Sequence, residues 1–172
     1  MRINYIERAR SVFWRVWKRG GLEHALRTGL AAAVSLAIAQ LFAMPEAYWA
    51  PISTLIVMQS TLGAAWAISK QRLIGTALGA VMGVLVVNYV DRGLFVFGLA
   101  IFALGLMCDF FHLNQIAYRF ASITLAIIML IDTAEVIWIR GVHRFVEVSL
   151  GIAVGLVFAG VWPWRESKSA KQ

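Results

Sequence analysis

Cysteine, histidine and charged residues are all scarce in this chain of 172 residues, and each scarcity removes a class of function. With Cys108 as its single cysteine, the chain forms no internal disulfide. The three histidines, His24, His112 and His143, lie far apart in sequence without the spacing of a zinc or haem site, so we expect no metal and no other cofactor. No paired carboxylates, and no nucleophile with a base, stand at a useful spacing, so an enzyme is not predicted.

Apolar residues, in contrast, are abundant. They make up 60% of the chain against roughly 45–50% in soluble domains. Only 15% of residues are charged, where about 25% is usual, and the mean hydropathy is +0.75. This composition predicts a membrane protein rather than a soluble one.

Six apolar runs approach the roughly 20 residues that a helix needs to cross a bilayer. Short polar or proline-containing stretches separate them, among them Pro45-Glu46 and Lys70-Gln71-Arg72. The runs lack the strict alternation of barrel strands, so we predict an all-α polytopic membrane protein with six transmembrane helices. The predicted spans are Leu26–Met44, Ala47–Ser69, Leu73–Val90, Leu94–Phe111, Ile116–Ile131 (with a possible extension to Ile139) and Phe145–Trp162.

Lysine and arginine divide unequally between the two sides of this topology. Thirteen fall on the side of the termini and three, Arg92, Arg140 and Arg144, on the other. The positive-inside rule therefore predicts that both termini lie in the cytoplasm. The basic pI follows from this topology, and no nucleic-acid partner is expected.

Three regions follow from the pattern: 1–25, 26–163 and 164–172. The first is an amphipathic helix with a Gly20-Gly21 hinge, suited either to the lipid interface or to packing on a partner subunit. The second is the six-helix membrane domain, whose first run is expected to stay in the protein rather than to be cleaved as a signal peptide. The third is a short basic cytoplasmic tail.

The third and sixth runs share a pattern at an offset of 72 residues. Arg72, Leu78, Gly79 and Gly83 correspond to Arg144, Leu150, Gly151 and Gly155. Three helices per copy make the second copy inverted, so we predict an inverted 3+3 repeat of the kind found in many secondary transporters. On this topology Arg72 is expected near the cytoplasmic face and Arg144 near the outer face, where both could alternatively anchor to headgroups.

Glycines spaced by four residues predict close helix packing within these runs. We favour packing inside one subunit over a subunit interface. The glycines are Gly75, Gly79, Gly83, Gly151 and Gly155.

Three segments resemble the fusaric acid resistance protein-like family, which is related to aromatic acid exporters and to plant aluminium-activated malate channels. They are Tyr48-Trp49-Ala50-Pro51, the stretch 59–64 (QSTLGA) and the stretch 72–80 (RLIGTALGA). The sixth run, with its flanking residues from Arg144 to Pro163, is similar to the end of that family's membrane domain, and the likeness covers Leu26 to Pro163. The resemblance implies a six-helix domain that moves organic anions, often aromatic carboxylates, outward. Larger relatives add a soluble domain or a second membrane half.

Polar groups within the apolar runs are the candidate substrate-binding residues, because burying them in a membrane is costly. The arginines suit a carboxylate, to which a guanidinium binds bidentately. Glu147 either neutralises Arg144 one turn earlier or carries a coupling proton. We interpret Trp49 as an interfacial residue, and the alternative is that it stacks on an aromatic substrate. The candidates are Arg72, Arg119, Arg144, Gln40, Gln59, Thr61, Thr76 and Glu147.

Taken with the resemblance, these features predict a bacterial inner-membrane transporter or channel for organic anions that exports aromatic carboxylic acids. It is expected to contact membrane lipid and to assemble as a homodimer that completes the pathway. The alternative is a membrane scaffold or accessory subunit without transport activity of its own.

Overall fold

The computed structural model describes residues 21–58, 61–90, 93–131 and 136–162, and all regular structure in these ranges is helical. The predicted N-terminal helix over residues 1–20 and the basic tail lie outside the described residues. Six helices follow one another along the described chain. They are α1 (Gly21–Leu41), α2 (Trp49–Val57), α3 (Leu62–Tyr89), α4 (Leu94–Phe110), α5 (Gln115–Leu130) and α6 (Ile137–Val161).

Three of these helices, α1, α3 and α6, are long and apolar enough to cross a membrane. Two more, α4 and α5, are apolar but shorter, with 17 and 16 residues. The remaining helix, α2, has 9 residues and rises only about 14 Å. The all-α prediction is therefore confirmed in its coarse form, although the helices differ from the predicted runs in length.

The boundary predicted between the second and third runs is wrong. Lys70, Gln71 and Arg72 do not form a loop, because α3 continues through them for 28 residues. The predicted second run is instead interrupted after Val57, and α3 begins where the Thr61 side chain accepts a hydrogen bond from the backbone N–H of Ala64 at 3.2 Å. Polar character suggested a loop at Arg72, whereas tertiary partners hold this side chain inside the bundle.

The other ends shift less. The first helix begins at Gly21, within the region assigned to the N-terminal helix, and ends at Leu41 rather than Met44. The fifth ends at Leu130 without the extension to Ile139. The sixth begins at Ile137, eight residues before the predicted Phe145, so Arg140 and Arg144 belong to a helix and not to an outer loop.

The distribution of side chains is that of a protein surrounded by lipid. Small residues such as Ala65 and Ala121 are completely buried, and they occupy the interior together with serines, threonines and arginines. Large apolar side chains point outward, with Phe95 91% and Leu94 83% exposed. A soluble protein rarely exposes apolar surface on this scale, whereas lipid tails can cover it.

The two longest of the described helices, α3 and α6, pack against each other. The most extensive packing joins α3 to α5 and α6 to α2, while α1 lies against α2 and α6 and α4 lies against α5. At the start of α1, Arg27 donates to the carbonyl of Trp162 at 2.5 Å, and the Trp162 indole donates to Glu23 at 2.6 Å. These bonds tie the first described helix to the end of the last one.

Candidate functional site

The two arginines related by the 72-residue offset line one cavity between α2, α3, α5 and α6, which we call the central cavity. Arg72 on α3 and Arg144 on α6 are 5% and 3% exposed, and both line a cavity of about 130 Å³. Their predicted separation to opposite membrane faces is therefore wrong, because both helices run past the cavity instead of ending at these arginines. The other lining residues are Trp49, Ile52, Ile56, Thr76, Phe120, Ile123, Thr124 and Val148.

Arg72 is held by neutral groups. Its Nε and Nη2 donate to the hydroxyl oxygen of Ser53 at 3.3 and 3.1 Å, and that hydroxyl in turn donates to the Trp49 carbonyl at 2.8 Å. Its guanidinium carbon lies 4.7 Å from the ring centre of Phe120. No carboxylate in the described chain pairs with Arg72, so its positive charge faces the cavity without a protein counter-ion.

Arg144 has a different environment, because an aromatic ring and a carboxylate both approach it. Its guanidinium carbon lies 3.1 Å from the ring centre of Trp49, and its Nη1 lies 3.5 Å from an oxygen of Glu46. Within the described residues, Nε and Nη1 of Arg144 are buried and make no hydrogen bond. Glu46 thus neutralises part of the Arg144 charge, while two nitrogens of the guanidinium make no hydrogen bond within the described residues.

Glu46, in the segment between α1 and α2, connects the groups around this cavity. One carboxylate oxygen accepts from the Trp49 indole at 2.9 Å and the other lies 3.9 Å from Nη2 of Arg140. Arg140 also donates to the carbonyls of Ile131 at 2.5 Å and Ile127 at 3.2 Å. These carbonyls lie at the end of α5, where a cation is favoured by the helix dipole.

Glu147 on α6 is almost completely buried, with 1% of its surface exposed. One oxygen accepts a hydrogen bond from the backbone N–H of Glu46 at 2.8 Å. The other is buried and has no hydrogen-bond partner in the described chain. Glu147 also lines a second cavity, of about 350 Å³, whose remaining lining residues are Phe42, Ala43, Met44, Pro45, His143 and Val146.

Close helix contacts at glycines hold these groups in position. A Cβ at Gly79 would overlap the carbonyl oxygen of Ala121 on α5, and one at Gly151 would overlap that of Ala50 on α2. The Thr54 hydroxyl donates to the Gly151 carbonyl at 2.8 Å, which fastens α2 to α6 beside Ser53. Gly75, Gly83 and Gly155 are similarly crowded by α5 or α2. All five predicted packing glycines thus contact helices of the same chain.

The structure brings together some of the sequence candidates and separates others. Arg72, Thr76 and Arg144 share the central cavity, and Glu147 reaches it through Glu46. Gln40 and Arg119 are exposed elsewhere on the bundle. Thr61 is also exposed, where it caps α3. Gln59 lies outside the described residues.

Sequence reasoning missed two charged members of the site. Glu46 was interpreted as the end of a span and Arg140 as a loop charge, yet Glu46 forms the ion pair with Arg144 that was considered for Glu147. A signal was present, because a charged residue three positions before Trp49 in an apolar region is costly without a partner. Across the described ranges, no three His, Cys, Asp or Glu side chains are grouped to bind a metal ion.

The sequence of this chain matches known proteins over most of its length. The model of the fusaric acid resistance protein-like family matches residues 32–158. The chain is 27% identical over 159 residues to the inner membrane protein YeeA of Escherichia coli (strain K12), covering 88% of this chain and 44% of YeeA. It is 31% identical over 167 residues to the uncharacterized transporter YdhK of the same organism, covering 90% of this chain and 25% of YdhK.

The chain thus spans less than half the length of these curated relatives. No solved structure gives a significant match. The family match covers the helices that build the central cavity, and it confirms the resemblance seen in the stretch around Arg72. This chain belongs to the fusaric acid resistance protein-like family.

Proposed function

We propose that this protein is an inner-membrane transporter or channel for organic anions and that aromatic carboxylates bind in the central cavity. The observation that carries the proposal is Arg72, a buried guanidinium that has no carboxylate partner in the described chain. Burying an unpaired charge costs several kcal/mol, roughly. A carboxylate entering the cavity would supply the missing counter-ion and bind through charge-assisted hydrogen bonds.

The aromatic preference follows from the rings beside the two arginines. Trp49 and Phe120 both line the cavity, and each lies against one guanidinium. A planar ring could stack on these faces while its carboxylate meets Arg72 and Thr76. The cavity of about 130 Å³ accommodates a single ring and is smaller than the roughly 300–1,000 Å³ of most ligand sites. A homodimer would therefore help to enclose a complete pathway.

An inverted repeat explains why the two arginines meet. Adding 72 to the bounds of α1 and α3 gives 93–113 and 134–161, close to α4 and α6. The contacts correspond as well, because α3 packs on α5 as α6 packs on α2. Each arginine also lies on an aromatic ring of the other half. A two-fold axis in the membrane plane would place both arginines near the midplane, where such transporters bind their substrates.

The proposed orientation keeps both termini in the cytoplasm. The hydrogen bonds that join Trp162 to Glu23 and Arg27 support a common side for both termini, because they hold the start of α1 next to the end of α6. Without the buried Arg27, Arg72, Arg140 and Arg144, the count of basic residues becomes 11 on the side of the termini against 1 on the other. The positive-inside rule then gives the same orientation.

Flux of benzoate from proteoliposomes that contain the purified chain tests the proposal. We expect saturable flux from the wild type and a loss of at least tenfold in Arg72→Gln, with part of the activity kept in Arg72→Lys because the charge is retained. Arg119→Gln is the matched control, since Arg119 is exposed and outside the cavity. Flux in Arg72→Gln equal to that of the control would exclude Arg72 from the site. No flux from folded wild type would favour the accessory-subunit alternative.

A further inference from the structure

We propose that Glu147 is a proton-binding site whose protonation is linked to anion binding at the central cavity. This inference rests on the proposed function, since it assigns a second ligand, the proton, to the same cluster of charges. It starts from an observation about one atom. The second carboxylate oxygen of Glu147 is buried and has no hydrogen-bond partner in the described chain.

A carboxylate in that position is costly to ionise, because each oxygen of a buried carboxylate needs hydrogen bonds or a counter-ion to replace water. The first oxygen has such a bond, from the backbone N–H of Glu46 at 2.8 Å. The second can take up a proton without breaking that bond. Intramembrane carboxylates of this kind commonly mark proton pathways.

The second cavity gives the proton a place to enter. It has a volume of about 350 Å³, large enough for several waters, and Glu147 and His143 both line it. Ala43, which also lines this cavity, has a left-handed backbone with φ of 49° in the segment after α1. Glu147 therefore lines this cavity and is hydrogen-bonded to Glu46, the residue whose carboxylate contacts Arg144.

The charged groups around Glu147 are few. Its electrostatic neighbours are Glu46 from the segment after α1 and His143 and Arg144 on its own helix. Two further arginines contact these neighbours. Arg140 lies 3.9 Å from a carboxylate oxygen of Glu46, and Arg72 is an electrostatic neighbour of Arg144.

The helices that pack on α6 add little further charge near this carboxylate. Within the described part of the chain, α2 has no titratable residue. The titratable groups of α1, Glu23, His24 and Arg27, lie towards the end that bonds Trp162. Lys70 on α3 and Arg119 on α5 are exposed, and Tyr118 on α5 lines a different cavity, beside α4.

The sign of the linkage follows from the charges. Three arginines face two carboxylates, so the cluster carries about one positive charge when both are ionised and about two when Glu147 is protonated. Anion binding is favoured in the second state. Because linkage is reciprocal, a bound anion must also favour protonation of Glu147. The proton and the anion therefore bind together, and the proton comes from and returns to solvent without any other bond changing.

The test measures benzoate binding and proton uptake by the purified full chain in detergent. In weakly buffered solution with a pH-sensitive dye, we expect the wild type to take up as much as one proton per benzoate bound. Its Kd should rise with pH by up to about tenfold per unit. Glu147→Gln, which mimics the protonated form, should bind without proton uptake and with the affinity of the wild type at low pH.

His143→Gln distinguishes the two neighbours, because uptake should persist in this variant when the proton resides on Glu147. Uptake that survives in Glu147→Gln but disappears in His143→Gln would overturn the proposal. Binding by the wild type without any proton uptake would overturn it as well, whether or not the variants fold. Absence of benzoate binding at every pH would instead reject the proposed function, and this inference with it.

Discussion

Replacing Gly151 by alanine tests whether the site depends on the contact between α6 and α2. The added Cβ would overlap the Ala50 carbonyl oxygen and lie 2.6 Å from the Ser53 Cβ, whereas ordinary van der Waals contacts of a Cβ are 3.4–4 Å long. The two helices would have to separate, and the hydrogen bond from Thr54 to the Gly151 carbonyl would lengthen beyond its 2.8 Å. Overpacking costs about 1–3 kcal/mol and the hydrogen bond about 1 kcal/mol.

We therefore expect Gly151→Ala to lose about 2–4 kcal/mol of stability, visible as a lower Tm in detergent. Gly160→Ala on the same helix is the matched control, because its added Cβ has no atom within 4 Å among the described residues, apart from the adjoining backbone of its own helix. This control should match the wild type or gain up to about 1 kcal/mol through its higher helix propensity. Equal Tm values for Gly151→Ala and Gly160→Ala would refute the close approach of α2 and α6.

Gly151→Ala should also weaken anion binding in the central cavity. Ser53 is the residue displaced by the new Cβ, and it accepts both hydrogen bonds from Arg72. Benzoate binding should therefore weaken in Gly151→Ala beyond what the stability loss explains, measured by calorimetry at a temperature where the variant remains folded. Wild-type affinity in a destabilised Gly151→Ala would separate the packing of α2 from the geometry of Arg72.

Two further substitutions test the charges and rings of the cavity. Glu46→Gln removes the carboxylate that pairs with Arg140 and Arg144, so we expect the free energy of unfolding to fall by about 3 kcal/mol. Benzoate should then raise the Tm of this variant more than it raises the Tm of the wild type. An equal rise of Tm in both proteins would contradict the pairing. Trp49→Leu removes a ring on which benzoate can stack in the central cavity and should weaken benzoate relative to acetate by about 2- to 13-fold, measured by competition. An unchanged ratio of the two anions would show that Trp49 has no part in aromatic selectivity.

Several features follow from the sequence alone, because each depends on local composition or spacing. The apolar runs and low charge indicate a helical membrane protein, since lipid requires every backbone group to be bonded within its own helix. The four-residue spacing of Gly75, Gly79 and Gly83 indicates a close helix contact, and the structure shows what each glycine touches. The offset relating Arg72 to Arg144 was also visible without coordinates.

Other features required the tertiary structure, because they depend on partners distant in sequence. Arg72 lies inside a continuous helix because Ser53 and Phe120 receive its guanidinium, and no local rule distinguishes this from a polar loop. Glu46 lies in the segment after α1, yet its position against Arg144 arises only when α1 and α6 lie side by side. Sequence therefore indicated a helical membrane protein with polar groups in its apolar runs, and packing decided which of these groups are buried and which of them meet, since each pairing joins side chains from separate segments of the chain.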